Sequence, residues 1–142
     1  MSRELFVAEP VETYNTLPPI VVDCSVLAAI LFNEPSQAEA LKLLSGKSLY
    51  APNLIDHEII SVAVKKSEAK ARDLVRRGLD GFRKLRLARH SIDHQAQFEL
   101  ALSQKVSACD TACLQLAVSL NAPLATYDRV LACAASKVLS SR

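Results

Sequence analysis

Residues 20–34 read IVVDCSVLAAILFNE. Ile20, Val21 and Val22 are apolar and β-branched without alternation, which suits a short strand buried on both faces. Asp23 ends the run and Ser25 can cap a following helix, in which Val26, Leu27, Ile30 and Leu31 share one face. A buried strand that turns at once into an amphipathic helix opens a βα unit, and that reading sets the fold. The pattern returns near the end of the chain. Pro123 to Thr126 forms a strand stopping just before Asp128, and a short helix and a last strand complete the sequence.

The segments between obey the same alternation. A second helix starts near Pro35-Ser36 and ends at Gly46, and Leu49-Tyr50-Ala51 makes a second strand closed by Pro52. Asn53 to about Gly78 is helical in two pieces, and Leu85 to Leu87 is a third strand. Asp93 to Gln104 is an amphipathic helix with Phe98 and Leu102 in register. Ser107 to Leu120 is another, with Leu114, Ala117 and Val118 inward and Asn121 in the left-handed closing position. Residues 1–17 show neither period and Pro18-Pro19 stops them, so they read as an N-terminal extension to a domain over 18–142. Strands alternating with helices predict a parallel sheet covered on both faces.

Composition agrees. Half of the 142 residues are hydrophobic, enough for a single core, and they are mainly Ala, Leu and Val with no Trp. The longest apolar runs fall far short of the ~20 residues a spanning helix needs. The N-terminus lacks an apolar signal core, which points to the cytoplasm, and the four cysteines form no C-x-x-C pair and need no disulfide there. The net charge of +2 conceals an asymmetry. Residues 1–64 carry 3 Lys and Arg against 8 Asp and Glu, residues 65–89 carry 10 against 3, and residues 90–142 carry 4 against 4. An acidic half beside a basic middle suits an enzyme that cuts a polyanion; alone, the basic run reads more readily as a solvated helix face.

The acids carry the chemistry. Asp23 and Asp128 each follow a buried strand, where the ligands of open parallel sheets bind. Asp110 lies three residues after the capping Ser107, and Glu58 lies in the first turns after Pro52-Asn53. Four carboxylates in one cleft repel one another, and a divalent cation removes the conflict. An all-oxygen set suits Mg²⁺ or Mn²⁺, and the lack of clustered Cys and His argues against zinc. Such a site can polarise a phosphodiester and activate water with no covalent nucleophile. Ser25 and Thr126 are placed to hold a metal-bound water or to orient an aspartate. Asp110 alone could be a capping acid, and Glu58 alone a first-turn acid.

IVVDCSVLAAILFNE, APNLIDHEIISV and SACDTACLQLAVSLNAPLATYDRVLA together resemble the PIN-domain ribonucleases, most closely the VapC toxins of toxin–antitoxin modules. Asp23 with Ser25 matches the family's first-strand acid and the polar residue two positions on. Glu58 matches the Glu after an Ala-Pro pair, Asp110 the acid opening a late helix, and Asp128 the acid of a T-x-D-R segment with Thr126 and Arg129. Glu34 sits where many members carry an acid. The resemblance covers roughly residues 20–142. It implies a three-layer α/β/α sandwich, Mg²⁺-dependent endoribonucleolytic cleavage of RNA, homodimers, and inhibition by a cognate antitoxin. Cys24 and Cys109 depart from the usual neighbours of the first and third acids.

RNA-binding candidates are Lys65, Lys66, Arg72, Arg76, Arg77 and Arg129. Cys109 and Cys113 are four apart on a helix but lack further metal ligands. His57 points away from Glu58 around its helix, and His90 and His94 share a helical spacing without carboxylate company. The alternative function is a non-catalytic RNA-binding PIN module, against which all four acids count. Phosphotransfer on an aspartate, as in haloacid-dehalogenase phosphatases, needs an acid where Ser25 stands.

Overall fold

The computed structural model describes residues 17–69 and 71–141, together with Phe6. The expected extension lies outside the described residues apart from Phe6 and Leu17. Strand β1 (Pro19–Val22) feeds helix α1 (Cys24–Leu31), and α2 (Gln37–Leu44) leads to β2 (Ser48–Pro52). Helices α3 (Ile55–Ala69) and α4 (Arg72–Lys84) precede β3 (Ala88–His90). Helices α5 (His94–Gln104) and α6 (Ala108–Leu120) precede β4 (Leu124–Ala125), and α7 (Arg129–Leu139) follows.

All strand pairs are parallel, in the order β3-β2-β1-β4. Val21 pairs with Tyr50 on one side and Leu124 on the other, which makes β1 a central strand. Its side chains serve two cores. Ile20 and Val22 pack with Leu27, Ile55, Ile59 and Phe82 of α1, α3 and α4, whereas Val21 packs with Leu114, Ala117 and Leu131 of α6 and α7. Val21 and Val22 are both 0% exposed, so the strand is buried on both faces, as its unbroken apolar run predicts. The result is a three-layer α/β/α sandwich on a parallel sheet.

The chain order fixes where a site can form. From β1 the chain builds outward through β2 to β3, then returns to the other side of β1 for β4. The loops leaving β1 and β4 go to helices on opposite faces, opening a crevice at that switch point. Close packing stiffens one side of it. A Cβ on Gly78 of α4 would lie 2.5 Å from the Leu31 carbonyl oxygen and 2.6 Å from the Phe32 ring, so only glycine lets α4 sit this close to α1.

Several expected elements move. The third strand is Ala88–His90, not Leu85–Leu87. The Leu85 amide still closes α4 on Phe82, and Leu87 is drawn into the core, so pairing with β2 starts at Ala88, three residues later than expected. Residues expected to form a last strand extend α7 to Leu139 instead. His90 ends β3 while His94 opens α5, so they share no helix. Ser25 lies inside α1 and caps nothing, with Asp23 at the N-cap position. Phe98 and Leu102 of α5 are more than half exposed. Ser107 does cap α6, and Asn121 closes it at φ +50°. Among the described residues no helix is long and apolar enough to cross a membrane.

Candidate active site

Asp23 is set at the carboxyl end of β1 and is only 6% exposed. A carboxylate so enclosed needs donors. Ser25 Oγ and Thr126 Oγ1 each donate to its Oδ2 at 2.8 Å. With their single protons so used, both hydroxyls accept from the turn after β4: Ser25 from the Tyr127 amide and Thr126 from the Asp128 amide, each at 2.9 Å. The Ser25 hydroxyl thus serves the site rather than the helix end, which is the physical reason it caps nothing.

That turn delivers Asp128. Its Oδ1 accepts from the Val130 and Leu131 amides at 2.8 and 3.0 Å, capping α7. Asp110 stands in the first turn of α6, its amide held by Ser107 Oγ at 3.1 Å. Burial, then Asp128 and Asp23, raise its carboxyl against the opposing pull of Ser107. Glu58, in the first turn of α3, is pushed up to about 7 by burial first and then by Asp23 and Asp110. Glu58 and Asp110 therefore each feel Asp23, Glu58 also feels Asp110, and Asp110 feels Asp128, so β1, α3, α6 and the turn after β4 bring the four acids expected from the sequence near one another.

One atom in this crevice is unsatisfied. Glu58 Oε1 is shut off from solvent and has no hydrogen-bond partner among the described residues. A buried carboxylate oxygen in that state is costly unless it gains a proton or a cation. Among the described residues no three His, Cys, Asp or Glu side chains are arranged to enclose a metal ion. Mg²⁺ does not require such a cage, because it keeps several waters and takes one or two carboxylates directly. Hard oxygen donors, mutual repulsion and an orphaned acceptor fit a hydrated divalent cation.

The thiols do not join the set. Burial first, then Glu58 and Asp23, push Cys24 up to about 12, and burial first, then Asp23, raises Cys113 as well. Both are packed as neutral side chains, while Cys109 is exposed at the rim. Cys109 and Cys113 therefore do not work together despite their spacing.

The expected cations divide into two groups. Lys66 is ion-paired with Glu34, and Arg76 with Asp73 at 3.1 Å. Lys65, Arg72, Arg77 and Arg129 are exposed and make no ion pair among the described residues. Sequence reasoning missed Tyr127, whose hydroxyl donates to Glu39 Oε1 at 3.1 Å. It also missed Asn53, whose side-chain amide donates to Ser91 Oγ at 2.9 Å. Asn53 follows β2 as Asp23 follows β1, and that parallel was available in the sequence.

The PIN domain profile matches residues 20–137. The VapC ribonuclease of Mycobacterium bovis is 30% identical over 111 residues, covering 77% of this chain and 85% of that protein. Ribonuclease VapC9 of Mycobacterium tuberculosis matches to the same extent. Among solved structures, PAE2754 from Pyrobaculum aerophilum superposes with a TM-score of 0.66 at 16% identity, covering 89% of this chain and 96% of that one. VapBC2 from Rickettsia felis, bound to a DNA fragment from its promoter, gives 0.53 at 19% identity, covering 78% and 88%. These two likenesses concern the fold.

Proposed function

Because the chain belongs to the PIN domain family, and within it to the VapC-like members, we propose that it is a Mg²⁺- or Mn²⁺-dependent endoribonuclease acting as the toxin of a toxin–antitoxin module. The observation that carries this reading is the buried Glu58 Oε1, without a hydrogen-bond partner among the described residues, close to Asp23 and Asp110, with Asp128 beside Asp110.

In this reading Asp23, Asp110 and Asp128 would hold the hydrated cation, directly or through its waters, and Glu58 either joins them or positions water. Ser25 and Thr126 fix Asp23 through Oδ2, leaving Oδ1 clear of those bonds. Asp128 likewise keeps Oδ2 free of the helix cap. When bound, a divalent cation polarises the phosphodiester and makes water a better nucleophile. The chain contributes a rigid, half-buried bed of carboxylates and a proton site at Glu58. Phosphate contacts fall to Lys65, Arg72, Arg77 and Arg129, with Lys66 and Arg76 shared with acids.

A cognate antitoxin is the partner that this reading requires. The resemblance also implies a homodimer, for which exposed Phe98 and Leu102 supply apolar surface. Cytoplasmic location and a domain over residues 18–142 complete the proposal. The test is cleavage of single-stranded RNA by the purified chain with Mg²⁺ or Mn²⁺, repeated in excess EDTA. Cleavage that persists in EDTA overturns the metal-dependent reading. RNA binding without cleavage under any divalent ion favours the non-catalytic module.

A further inference from the structure

The four parallel strands end on one edge, and each is followed at once by a polar residue. In sheet order these are Ser91, Asn53, Asp23 and Thr126. They form two hydrogen-bonded pairs, Thr126 with Asp23 and Asn53 with Ser91. The acidic site uses the first pair. The second lies one strand spacing away, about 4.8 Å, on the same rim.

The second pair borders a cleft of about 210 Å³ at the ends of β2 and β3. Pro52, Leu54 and Ala112 give it apolar walls, while Asn53, His94 and Gln97 give it polar edges. It is smaller than the roughly 300–1,000 Å³ pockets that take drug-sized ligands, and so suits one planar ring system. Two walls tie it to the acids. Leu54 accepts the amide of Glu58 one helical turn on, at 3.1 Å, and Gln97 Nε2 donates 2.8 Å to the carbonyl of Ala108, two residues before Asp110.

We propose that this cleft binds one unpaired base of the RNA chain, next to the phosphodiester held at the acidic site. The proposal takes its polymer from the ribonuclease reading above. Single-stranded RNA is read by stacking splayed bases on rings such as imidazole and by hydrogen bonds to their edges. His94 offers an exposed ring. Asn53 spends one amide proton on Ser91, which leaves its Oδ1 and a second proton for another partner. That donor–acceptor pair complements the amino group and ring nitrogen of adenine, so an adenine-type base is the expected occupant.

Two measurements test it separately from catalysis. The first follows the wild-type chain by NMR during titration with adenosine monophosphate, uridine monophosphate and ribose 5-phosphate. Adenosine monophosphate should shift the Asn53 and Gln97 side-chain amides and the His94 ring, and ribose 5-phosphate should leave them in place. Equal shifts from all three, or none, overturn the proposal. The second sequences the cleavage ends of a randomised single-stranded RNA with Mn²⁺, comparing wild type with Asn53→Ala and His94→Ala. Both residues are exposed, and an unchanged melting temperature shows that the variants fold. Wild type should prefer adenine at a fixed position beside the cut by about five-fold or more, and the variants should flatten that preference. An undiminished preference in both variants also overturns it. If wild type cuts no RNA, the ribonuclease reading has failed, and the titration still decides the cleft.

Discussion

Thr126 Oγ1 donates a hydrogen bond of 2.8 Å to Asp23 Oδ2 across 103 residues of sequence, joining the ends of two neighbouring strands. The same oxygen of Thr126 accepts the amide of Asp128. One hydroxyl therefore holds two of the four acids.

Thr126→Val keeps the shape and removes that hydroxyl. A bond to a buried carboxylate is lost and the Asp128 amide loses its acceptor, which should cost about 1–3 kcal/mol in urea unfolding. RNA cleavage should fall with it, and Thr126→Ser should restore both. A valine variant of wild-type stability would show that the link between the strands is slack.

Glu58 should make the metal-free chain less stable as pH rises. Its carboxyl is raised from 4.5 to about 7 in the folded state. The folded chain thus binds the proton more tightly than the unfolded one, and stability is full below about pH 4.5 and declines as pH climbs to about 7. Glu58→Gln should remove this decline, so its advantage over wild type should grow between those values. Parallel stability–pH curves for the two proteins would refute the coupling.

Asp110→Asn should relieve repulsion in the crevice, leaving the melting temperature unchanged or raised while cleavage falls sharply. Mn²⁺ at 100 times its dissociation constant should stabilise wild type by about 2.7 kcal/mol and the variant by much less. A variant that unfolds would instead make Asp110 a structural cap of α6.

Gly78→Ala tests packing away from the chemistry. Alanine favours a helix over glycine by about 1 kcal/mol, yet its Cβ would press on Leu31 and Phe32. The clash should win, with a net loss of about 1–3 kcal/mol in chemical unfolding. A stabilised variant would mean that α4 can slide on α1.

The basic segment should not act uniformly. Neutralising Lys65, Arg72 and Arg77 should raise KM for RNA more than it lowers kcat, and should reduce the salt dependence of binding. Neutralising Lys66 or Arg76, which already face Glu34 and Asp73, should do less. RNA affinity at low salt that survives the triple change would remove these cations from the interface.

The sequence alone determined what depends on neighbours along the chain. Ile20–Val22 announces a strand buried on both faces because no polar residue interrupts it, and Asp23 and Asp128 announce a site because each follows such a strand. Ser107 and Asn121 show the ends of α6, since caps are local geometry. Contacts between distant segments were another matter. Whether β3 starts at Leu85 or Ala88 depended on which leucine the core would take. Whether Ser25 caps a helix or braces Asp23 depended on the turn after β4 arriving beside it. That Lys66 is spent on Glu34 was settled when the helices packed, whereas Arg76 and Asp73 are an i, i+3 pair within α4. Only the tertiary structure could set Asn53 and Ser91 beside Asp23 and Thr126, because strand order follows from packing two cores on one sheet and no local pattern encodes it.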